Sequence, residues 1–447
     1  MRKARAVWAA AKGMDPGIRD EIEKIRLVDG HEHLDEEAVR LSQPNDLVRF
    51  FMYYTFDDVT TTGKTGPGAG AFFKAGTTVE EQWRAIRDAW PLARNTGYAR
   101  AVQLSIQELY GIDDLRDDTV KPLLAAIAKR NRPGVLDWLL RDKAGIEVAL
   151  VNAEDPGDLA RRTASPGLFL FDIAVSPFLQ GKPDLAPYEK ASGKAVESLR
   201  DWHRMIDWYF DRWGRQAVAI KNVSAYWRVL KYDEVSESDA APLFEKWLVR
   251  KEEVNPAERK AVQDHLFDVC VRKATELDLA IKIHTGYHAG TGYTDLDVPR
   301  ARDLASLFRR HPKARFDLFH ISYPEWPDVI ALAKHYPNVV ADMCWAWGID
   351  PEGARQFARQ ALHALPVNKV HGFGGDVGYA DMVYGYARIA RDSIAAVLTE
   401  AVREGRLTRP DAKAVARRWL RDNAMEFYRI DKRRAAQAAG QPAPLAG

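Results

Sequence analysis

Eight short apolar runs, separated by helix-like stretches, are the feature that most constrains the fold of this chain. The runs cover residues 25–29, 146–151, 168–175, 217–223, 280–285, 315–321, 339–345 and 370–374. Several of them are almost continuously apolar, which is typical of strands buried on both faces. Helical patterns at 298–310, 328–335 and 352–365 separate the later runs. Repeated strand–helix units predict an α/β fold with a parallel sheet, and eight of them favour a (β/α)8 TIM-like barrel over a doubly wound sheet.

The connection after the first predicted strand is too long for a simple barrel. Residues 36–145 contain helical stretches, such as 80–88 and 118–129, and a glycine-rich loop at 61–70. A long connection of this kind is often a functional insert, so we expect a mainly helical insert with a mobile lid. The Gly-Lys-Thr triplet at 63–65 lacks the glycine spacing and the leading strand of a phosphate-binding loop.

The expected organisation therefore has four parts. Residues 1–35 form an N-terminal helix and the first barrel strand, and residues 36–145 form the helical insert. Residues 146–432 form the rest of the barrel and the C-terminal helices. Residues 433–447 form a disordered tail, because the end of the chain is rich in Ala, Gln, Gly and Pro.

Composition argues against several classes of partner. The 447 residues carry 65 basic and 63 acidic side chains, a net charge of +2, which gives no general attraction to nucleic acid or to an anionic membrane. No window reaches the roughly 20 apolar residues of a membrane helix, and the basic N-terminus lacks the apolar region of a secretory signal. The two cysteines offer no disulfide framework. We expect a cytoplasmic protein that acts on a small molecule and forms a homo-oligomer.

Polar side chains follow five of the predicted strands. His31-Glu32-His33 follows the first, and residues i and i+2 of an extended segment point to the same side. His284, His320 and Asp376 follow the fifth, sixth and eighth strands, and Lys221 ends the fourth. Active sites of parallel barrels lie at the carboxyl ends of the strands, and imidazole and carboxylate are common ligands of divalent metals. Singly, each residue has an ordinary structural explanation, but their coincidence at one rim predicts a metal site.

The same residues resemble a known group of enzymes. The order His-x-His, His, His, Asp on successive barrel strands resembles the amidohydrolase superfamily of metal-dependent hydrolases, from about residue 28 to residue 428. The segments at 283–286, 319–324 and 374–376, with Asn423-Ala424 and Tyr428, are similar to the branch that includes amidohydrolase domains fused to glutamine-synthetase-like proteins. The long insert and Trp345-Ala346-Trp347 resemble uronate isomerases of the same superfamily, although His284 and His320 fit the hydrolase pattern better.

The resemblance implies a role for each matching residue. His31, His33 and His284 match metal ligands, and His320 matches a second-metal ligand or an electrophilic partner. Asp376 matches an aspartate that is a ligand, a proton acceptor, or both in turn. Lys221 stands where binuclear members carry a carboxylated lysine. The implied cofactor is one or two divalent ions, with zinc expected first and manganese or iron as alternatives.

Aromatic residues after the strands are candidates for the substrate pocket, because such pockets are mostly lined by aromatics with a few polar groups. Arg228 is the candidate for binding a substrate carboxylate, since guanidinium pairs with carboxylate at two points. The alternative explanation is that the aromatic residues after the strands only pack against one another at the mouth of the barrel. The aromatic candidates are Tyr226, Trp227, Tyr287, Trp345, Trp347 and Tyr379.

We expect a metal-dependent hydrolase that attacks a carbonyl of a small molecule with activated water, at an amide-type C–N bond or at an ester or lactone. Asp376 would take the proton of the water and pass it to the leaving group. Two alternatives keep the same fold: a uronate-type aldose–ketose isomerase and a metal-dependent non-oxidative decarboxylase. A further alternative, a binding protein without catalysis, would leave the ligand set unexplained.

Overall fold

A single eight-stranded parallel sheet with the strand order β1 to β8 forms the centre of the structure. The computed structural model describes residues 13–52, 54–163, 167–180 and 186–439. All eight predicted strands are present, and the predicted barrel is confirmed. The strands are β1 Leu27–Glu32, β2 Ile146–Ala153, β3 Phe169–Ala174, β4 Ala219–Asn222, β5 Ala280–His284, β6 Arg315–Phe319, β7 Val339–Asp342 and β8 Val370–His371.

Backbone hydrogen bonds between β1 and the segment after β8 close the barrel. The Gly30 amide donates to the Phe373 carbonyl at 3.0 Å, and the Asp376 amide donates to the His31 carbonyl at 2.9 Å. A third bond joins the His33 amide to the Val377 carbonyl at 3.1 Å. The first and last strands therefore meet at the rim where the predicted metal ligands lie.

The connection between β1 and β2 is mainly helical, as predicted, and its described residues form no strand. It carries a π-helical segment, Asp137–Ala144, directly before β2. Its hydrophobic interior includes Phe50, Phe51, Phe72 and Trp90, all essentially inaccessible to solvent. The helix before the barrel is α1 Pro16–Lys24, and those of the insert are α2 Glu37–Ser42, α3 Val48–Phe51, α4 Thr55–Thr61, α5 Val79–Ile86, α6 Trp90–Ala93, α7 Gly97–Tyr110 and α8 Val120–Arg130.

Helices follow each later strand and pack around the barrel. Those between β2 and β8 are α9 Pro156–Thr163, α10 Pro177–Gln180, α11 Ala186–Ser192, α12 Leu199–Tyr209, α13 Glu237–Val249, α14 Pro256–Glu276, α15 Ala305–Arg310, α16 Trp326–His335, α17 Ala346–Ile349 and α18 Pro351–Ala364. Those after β8 are α19 Ala380–Arg403, α20 Arg409–Arg417, α21 Asn423–Phe427 and α22 Ile430–Ala439. None of the described helices is long and apolar enough to span a bilayer.

Local capping chemistry explains where two predicted helices begin. The Asp350 carboxylate accepts the amides of Glu352 and Gly353 and caps α18, whose first residue is Pro351. The helix predicted from residue 298 begins later: a 3₁₀ turn spans Ala301–Leu304, and α15 follows. The reason is that the Asp295 carboxylate accepts the Asp297 amide at 2.9 Å, which makes a local turn instead of a cap.

The predicted disordered tail needs a correction. Residues 433–439 continue α22 instead of leaving the fold. Arg433 is buried, and its guanidinium donates to the carbonyls of Leu277 and Asp278 at 2.8 and 2.7 Å. These long-range bonds hold the helix against the end of α14, which the alanine-rich composition does not reveal. Residues 440–447 lie outside the described residues.

Candidate metal centre

The first two predicted ligands come from β1 and the residue after it. His31 lies inside the barrel and is fully buried, and the imidazole of His33 is partly open to solvent. Their ring centroids are 5.0 Å apart. One ligand atom each of His31, His33 and Asp376 lies within 4.8 Å of the others, so this group can hold a metal ion. The i, i+2 spacing thus places both imidazoles beside the carboxylate of Asp376, which follows the last strand of the barrel.

Asp376 is held by the backbone around it. The neighbouring amides of Gly375 and Val377 donate to the carboxyls of Asp29 and Glu32, at 3.2 and 2.7 Å. Asp376 Oδ1 lies 3.1 Å from His33 Nε2 and 3.5 Å from His31 Nε2. Burial opposes ionisation of Asp376, but the hydrogen bond to His33 and the interactions with the nearby imidazoles outweigh it and hold its pKa well below the usual value. Asp376 is therefore a carboxylate at neutral pH.

His284 and His320 face each other with unprotonated nitrogens. His284 Nε2 is 2.9 Å from the Tyr287 carbonyl, and His320 Nδ1 is 3.0 Å from the Cys344 carbonyl. A carbonyl oxygen only accepts, so both of these nitrogens carry the proton. In the neutral rings, His284 Nδ1 and His320 Nε2 then present lone pairs to each other at 3.0 Å. Such a pair needs a cation between or beside the two nitrogens.

A shared proton is a poor candidate for that cation. Burial lowers the pKa of His284 well below its usual value, and the neighbouring His320 and Lys221 act in the same direction. Burial also lowers the pKa of His320, to about 4. Both imidazoles are therefore neutral near pH 7, which is the form that binds a metal.

The buried atoms fit a divalent metal. His31 Nδ1 and Nε2 have no hydrogen-bond partner among the described residues, although they are shielded from solvent. A buried imidazole nitrogen without a partner is costly, and a metal ligand avoids that cost. Burial also lowers the pKa of His31 well below its usual value, which keeps the ring neutral. His320 Nε2 lies 3.7 Å from Asp376 Oδ2, so His320 borders the same carboxylate as His31 and His33.

Three of the side chains at this rim belong to residues with a left-handed backbone. The φ angles of His320, Trp345 and Asp376 are 67°, 62° and 58°. For residues other than glycine this region is costly, and such conformations concentrate at functional sites. The turns after β6, β7 and β8 therefore adopt an unfavourable backbone where each delivers a side chain to the rim.

Lys221 lies beside the histidines. Among the described residues, no carboxylate accepts a hydrogen bond from its ammonium. Its ammonium lies 3.8 Å from the centroid of the Phe319 ring. Burial lowers the pKa of Lys221 to about 8, against the opposing charge of Asp376. The amine thus exchanges its proton readily near neutral pH, which is a requirement for carboxylation of the nitrogen.

Charged residues in the middle of the strands form a network below the rim that the sequence analysis missed. Lys282 donates to Asp172 at 2.6 Å and to the Gly30 carbonyl at 2.7 Å. His371 Nδ1 lies 2.9 Å from Asp317, which also accepts a hydrogen bond from Tyr428. The sequence signal for this network is a single charged residue inside an otherwise apolar run. A strand buried on both faces carries a charge only when that charge is paired, so each such residue indicates a buried partner.

Three of the predicted substrate-binding aromatics lie near the imidazoles. Trp345 is buried, and its ring contacts that of His320 edge-on at 5.1 Å. Tyr226 lies 4.7 Å from the ring of His284. Tyr287 lies 5.9 Å from the ring of Trp345. The turns after β4, β5 and β7 thus surround the imidazoles with aromatic rings.

Two predicted pocket residues are engaged elsewhere. Arg228 is buried against α14, where its guanidinium donates to Asp264 and, at 3.3 Å, to Gln263. This leaves no reason to assign it a substrate carboxylate. Trp347 is buried in the core, and its Nε1 donates to the Gly372 carbonyl at 2.9 Å. The side chain of Trp227 is partly exposed.

A polar cleft of about 290 Å³ opens at His33. Tyr379 lines it, and the guanidinium of Arg49 lies 5.8 Å from the centroid of its ring. The remaining walls come from the segment after β1, from the insert, from the end of β2 and the turn after it, and from α9. The cleft is lined by His33, Asp35, Gln43, Met52, Asn152, Glu154, Asp155, Asp158, Arg161, Arg162, Gly378 and Tyr379.

Solved structures share this fold over nearly the whole chain. A uronate isomerase from Thermotoga maritima is 15% identical and superposes with a TM-score of 0.76, covering 92% of this chain and 96% of that one. A glucuronate isomerase from Caulobacter crescentus is 18% identical with the same TM-score of 0.76, covering 96% of this chain and 95% of that one. At these identities the likeness shows the fold alone.

Sequence comparison identifies the family. Protein fluG of Emericella nidulans is 23% identical over 425 residues, which are 91% of this chain and 46% of that protein. The chain thus spans about half the length of the curated relative that it matches. The sequence profile of the amidohydrolase family matches residues 191–430, more than half of the chain. This match confirms the resemblance seen in the strand-end motifs: the chain belongs to the amidohydrolase family of metal-dependent enzymes.

Proposed function

We propose that this protein is a metal-dependent hydrolase of a small molecule, acting at an amide-type C–N bond or at a related ester or lactone. The observation that carries the proposal is the position of Asp376. Its ionised carboxylate lies 3.1 Å from His33 Nε2 and borders the neutral imidazoles of His31 and His320. A carboxylate at this place is suited to accept a proton from water next to a metal.

His31, His33, His284, His320 and Asp376 would hold the metal, with Lys221 beside them. When bound, a divalent cation supplies Lewis acidity, which brings the pKa of water toward about 7 and polarises a carbonyl. Zinc suits this set of nitrogen and oxygen donors, and manganese and iron also accept it. The lone pair of His320 Nε2 favours a ligand role over an electrophilic role, because its proton is on Nδ1.

The remaining chemistry belongs to side chains of this chain. Asp376 accepts the proton of the attacking water and returns it to the leaving group. Tyr226 accepts the Ala289 amide at 3.2 Å, and burial raises the pKa of its phenol, so the hydroxyl keeps a proton to donate to substrate. Trp345 and Tyr287 exclude water around the reacting atoms. Tyr379 and the polar cleft at His33 contact the rest of the substrate.

Isomerisation of a uronate is the second candidate. Two solved uronate isomerases share the fold over 92% and 96% of this chain. The insert at residues 36–145 is about a quarter of the chain, so these superpositions include most of it. The cleft at His33 is lined mainly by polar and charged groups, which suits a substrate with many hydroxyls.

Isotope-labelled water separates these candidates. The metal-loaded protein would be incubated with a panel of N-acyl amino acids, lactones and uronates in H₂¹⁸O and, separately, in D₂O. Hydrolysis places one ¹⁸O in the new carboxyl group and no deuterium on carbon. Isomerisation places deuterium on carbon, and decarboxylation releases carbon dioxide. Carbon-bound deuterium in a uronate product, without turnover of any amide or lactone, would overturn the hydrolase proposal. Asp376→Asn is the matched inactive control.

A further inference from the structure

Asn152, the penultimate residue of β2, carries a buried amide oxygen that is left unsatisfied. The residue is 7% exposed, and its Oδ1 has no hydrogen-bond partner among the described residues. An amide oxygen that is shielded from water and lacks a donor is costly, so a group that donates to it would be bound favourably. The proposed reaction steps use other residues, and none of them supplies this donor.

The alternation of β2 directs the side chain of Asn152 into the barrel. Val148 and Leu150, at the preceding alternate positions, pack in one hydrophobic cluster with residues of β1, β3 and β4. Alternate residues of a strand point to the same side, so Asn152 is the last residue of this row, at the rim. Asn152 also lines the cleft that opens at His33. The unsatisfied oxygen therefore belongs to a wall of the cleft beside the candidate metal centre.

The two guanidinium groups that line this cleft share one carboxylate. Arg161 lies 3.1 Å from Asp158 Oδ1, and Arg162 lies 3.0 Å from Asp158 Oδ2. Arg162 also donates to the Leu34 carbonyl at 2.9 Å, which fixes its side chain. The positive charge on the walls is therefore engaged within the protein and partly balanced by Asp158.

Three further carboxylates make the cleft acidic. Asp35, Glu154 and Asp155 line it, and in the described part of the chain none of them forms an ion pair with a lysine or an arginine. Glu154 is exposed, and its Oε1 lies 3.9 Å from His33 Nδ1. Asp35 accepts a hydrogen bond from Gln43 at 3.1 Å. The side chains of the cleft thus carry a net negative charge, which attracts cations.

The unsatisfied oxygen and the unpaired carboxylates require the same kind of partner. An ammonium group donates three hydrogen bonds and accepts none, so it can satisfy Asn152 Oδ1 and a carboxylate together. An alkyl group would leave the amide oxygen unsatisfied, and a carboxylate would in addition be repelled. A hydroxyl group can donate only one hydrogen bond and would leave the negative charge unbalanced.

We propose that the cleft at His33 binds a primary ammonium group of the substrate, with Asn152 and Glu154 as the residues that determine this specificity. The inference rests on the proposed function, since the cleft adjoins the metal centre through His33, whose Nε2 lies 3.1 Å from Asp376. The substrate of the hydrolase is then an amide, ester or lactone with a free amino group away from the scissile carbonyl. A cleft of about 290 Å³ accommodates one short chain that ends in this group.

Binding of unreactive product analogues to the metal-loaded protein tests the proposal. Calorimetry would compare ω-amino acids, from β-alanine to ε-aminocaproate, with the alkyl carboxylates of equal heavy-atom number and with dicarboxylates. One carboxylate of each compound can reach the metal, so the far end is what differs. We expect at least one ω-amino acid to bind about tenfold more tightly than its alkyl match, the usual effect of a hydrogen bond to a charged group. If none does, or if dicarboxylates bind better through Arg161, the proposal is wrong.

Two substitutions of Asn152 separate a binding role from a structural one. Leucine has a similar size but accepts no hydrogen bond, so Asn152→Leu should reduce the preference for the ω-amino acid about tenfold and keep the affinity for the alkyl carboxylate. Asn152→Asp adds a negative charge and should retain or increase the preference. A structural role predicts that both variants weaken all ligands alike, and that result would overturn the proposal.

Glutamine substitutions test the contribution of charge. Glu154→Gln should lower the preference for the ω-amino acid, because it removes a carboxylate from the cleft. Glu80→Gln changes an exposed carboxylate of α5 outside the cleft and is the matched control. Equal ligand affinities in wild type and Glu154→Gln would remove Glu154 from the proposed site.

The binding measurement is independent of the hydrolase assignment, because it needs no turnover. A preference for ω-amino acids that is lost in Asn152→Leu supports the ammonium site even if the isotope experiment detects no hydrolysis. Conversely, equal kcat/KM for neutral and amino-bearing amides, together with no preference in binding, would overturn the ammonium site and leave the hydrolase proposal in place.

Discussion

Asp376 combines an unfavourable backbone with a dense set of contacts. Its φ of 58° is in the left-handed region, yet its own amide donates to the His31 carbonyl at 2.9 Å. The amides of the flanking residues Gly375 and Val377 donate hydrogen bonds to the buried carboxyls of Asp29 and Glu32. Burial raises the pKa of Glu32 well above its usual value, and the charge of Asp29 acts in the same direction, so this pair retains a proton near neutral pH. These contacts hold the Asp376 carboxylate beside His33.

Replacing Asp376 by asparagine should remove activity and preserve the fold. Asparagine tolerates a positive φ and keeps the size of the side chain, but it cannot accept a proton from water. We expect kcat to fall by roughly 10²–10⁴-fold, the usual contribution of a general base, or further if metal binding also weakens. Steady-state rates, metal content and circular dichroism would be measured together. Asp295→Asn, in an exposed turn, is the matched control. Near-wild-type kcat in Asp376→Asn would exclude its proposed role.

At the level of elements, one buried carboxylate joins the insert to the barrel. Asp381, in the first turn of α19, accepts hydrogen bonds from Arg40 of α2 at 3.0 and 3.2 Å and from Tyr110 of α7. Arg49 of α3 lies 3.6 Å from the same carboxylate. Helices α2, α3 and α7 of the insert are therefore all attached to the barrel through the Asp381 carboxylate. Asp381 lies only five residues after Asp376 in the sequence.

Replacing Asp381 by asparagine should loosen the insert. The change leaves two buried guanidinium groups without a counter-charge, and breaking a buried pair in this way costs about 3–5 kcal/mol. Urea denaturation would measure the loss in the free energy of unfolding, and limited proteolysis would locate faster cleavage within residues 36–145. Asp137→Asn disrupts the exposed pair with Arg141, and we expect it to cost at most about 1 kcal/mol. Similar losses in both variants would show that Asp381 does not anchor the insert.

Across the whole molecule, the barrel interior is polar at its centre. His371 of β8 contacts Asp317 of β6 at 2.9 Å and Asp342 of β7 at 3.7 Å. Burial alone would lower the pKa of His371, but these two carboxylates outweigh it and raise the pKa to about 9. The interior thus holds a protonated histidine at neutral pH, where the unfolded chain holds a largely neutral one.

The stability of the protein should therefore fall as the pH rises from 6.5 to 9. A raised pKa means that the folded state binds the proton more tightly, so the stabilisation is complete below the unfolded pKa of about 6.5 and is lost as pH rises through about 9. Relative to His371→Asn, wild-type protein should lose up to about 1.4 kcal/mol of unfolding free energy per pH unit in this range. Denaturation of metal-saturated protein at several pH values provides the measurement. Parallel pH profiles for the two proteins would contradict the raised pKa.

The sequence alone determined the eight strands, the helical insert and the histidines and aspartate at the strand ends. These features follow local rules: apolar runs mark buried strands, and parallel strands end at one rim. Only the tertiary structure decided which side chains pair there. Arg228 donates to Asp264, and Trp347 donates to the Gly372 carbonyl. The carboxyls of Asp29 and Glu32 accept the amides on either side of Asp376. Each of these choices depends on a partner distant in sequence, because a buried polar group must be satisfied by whatever the fold brings beside it.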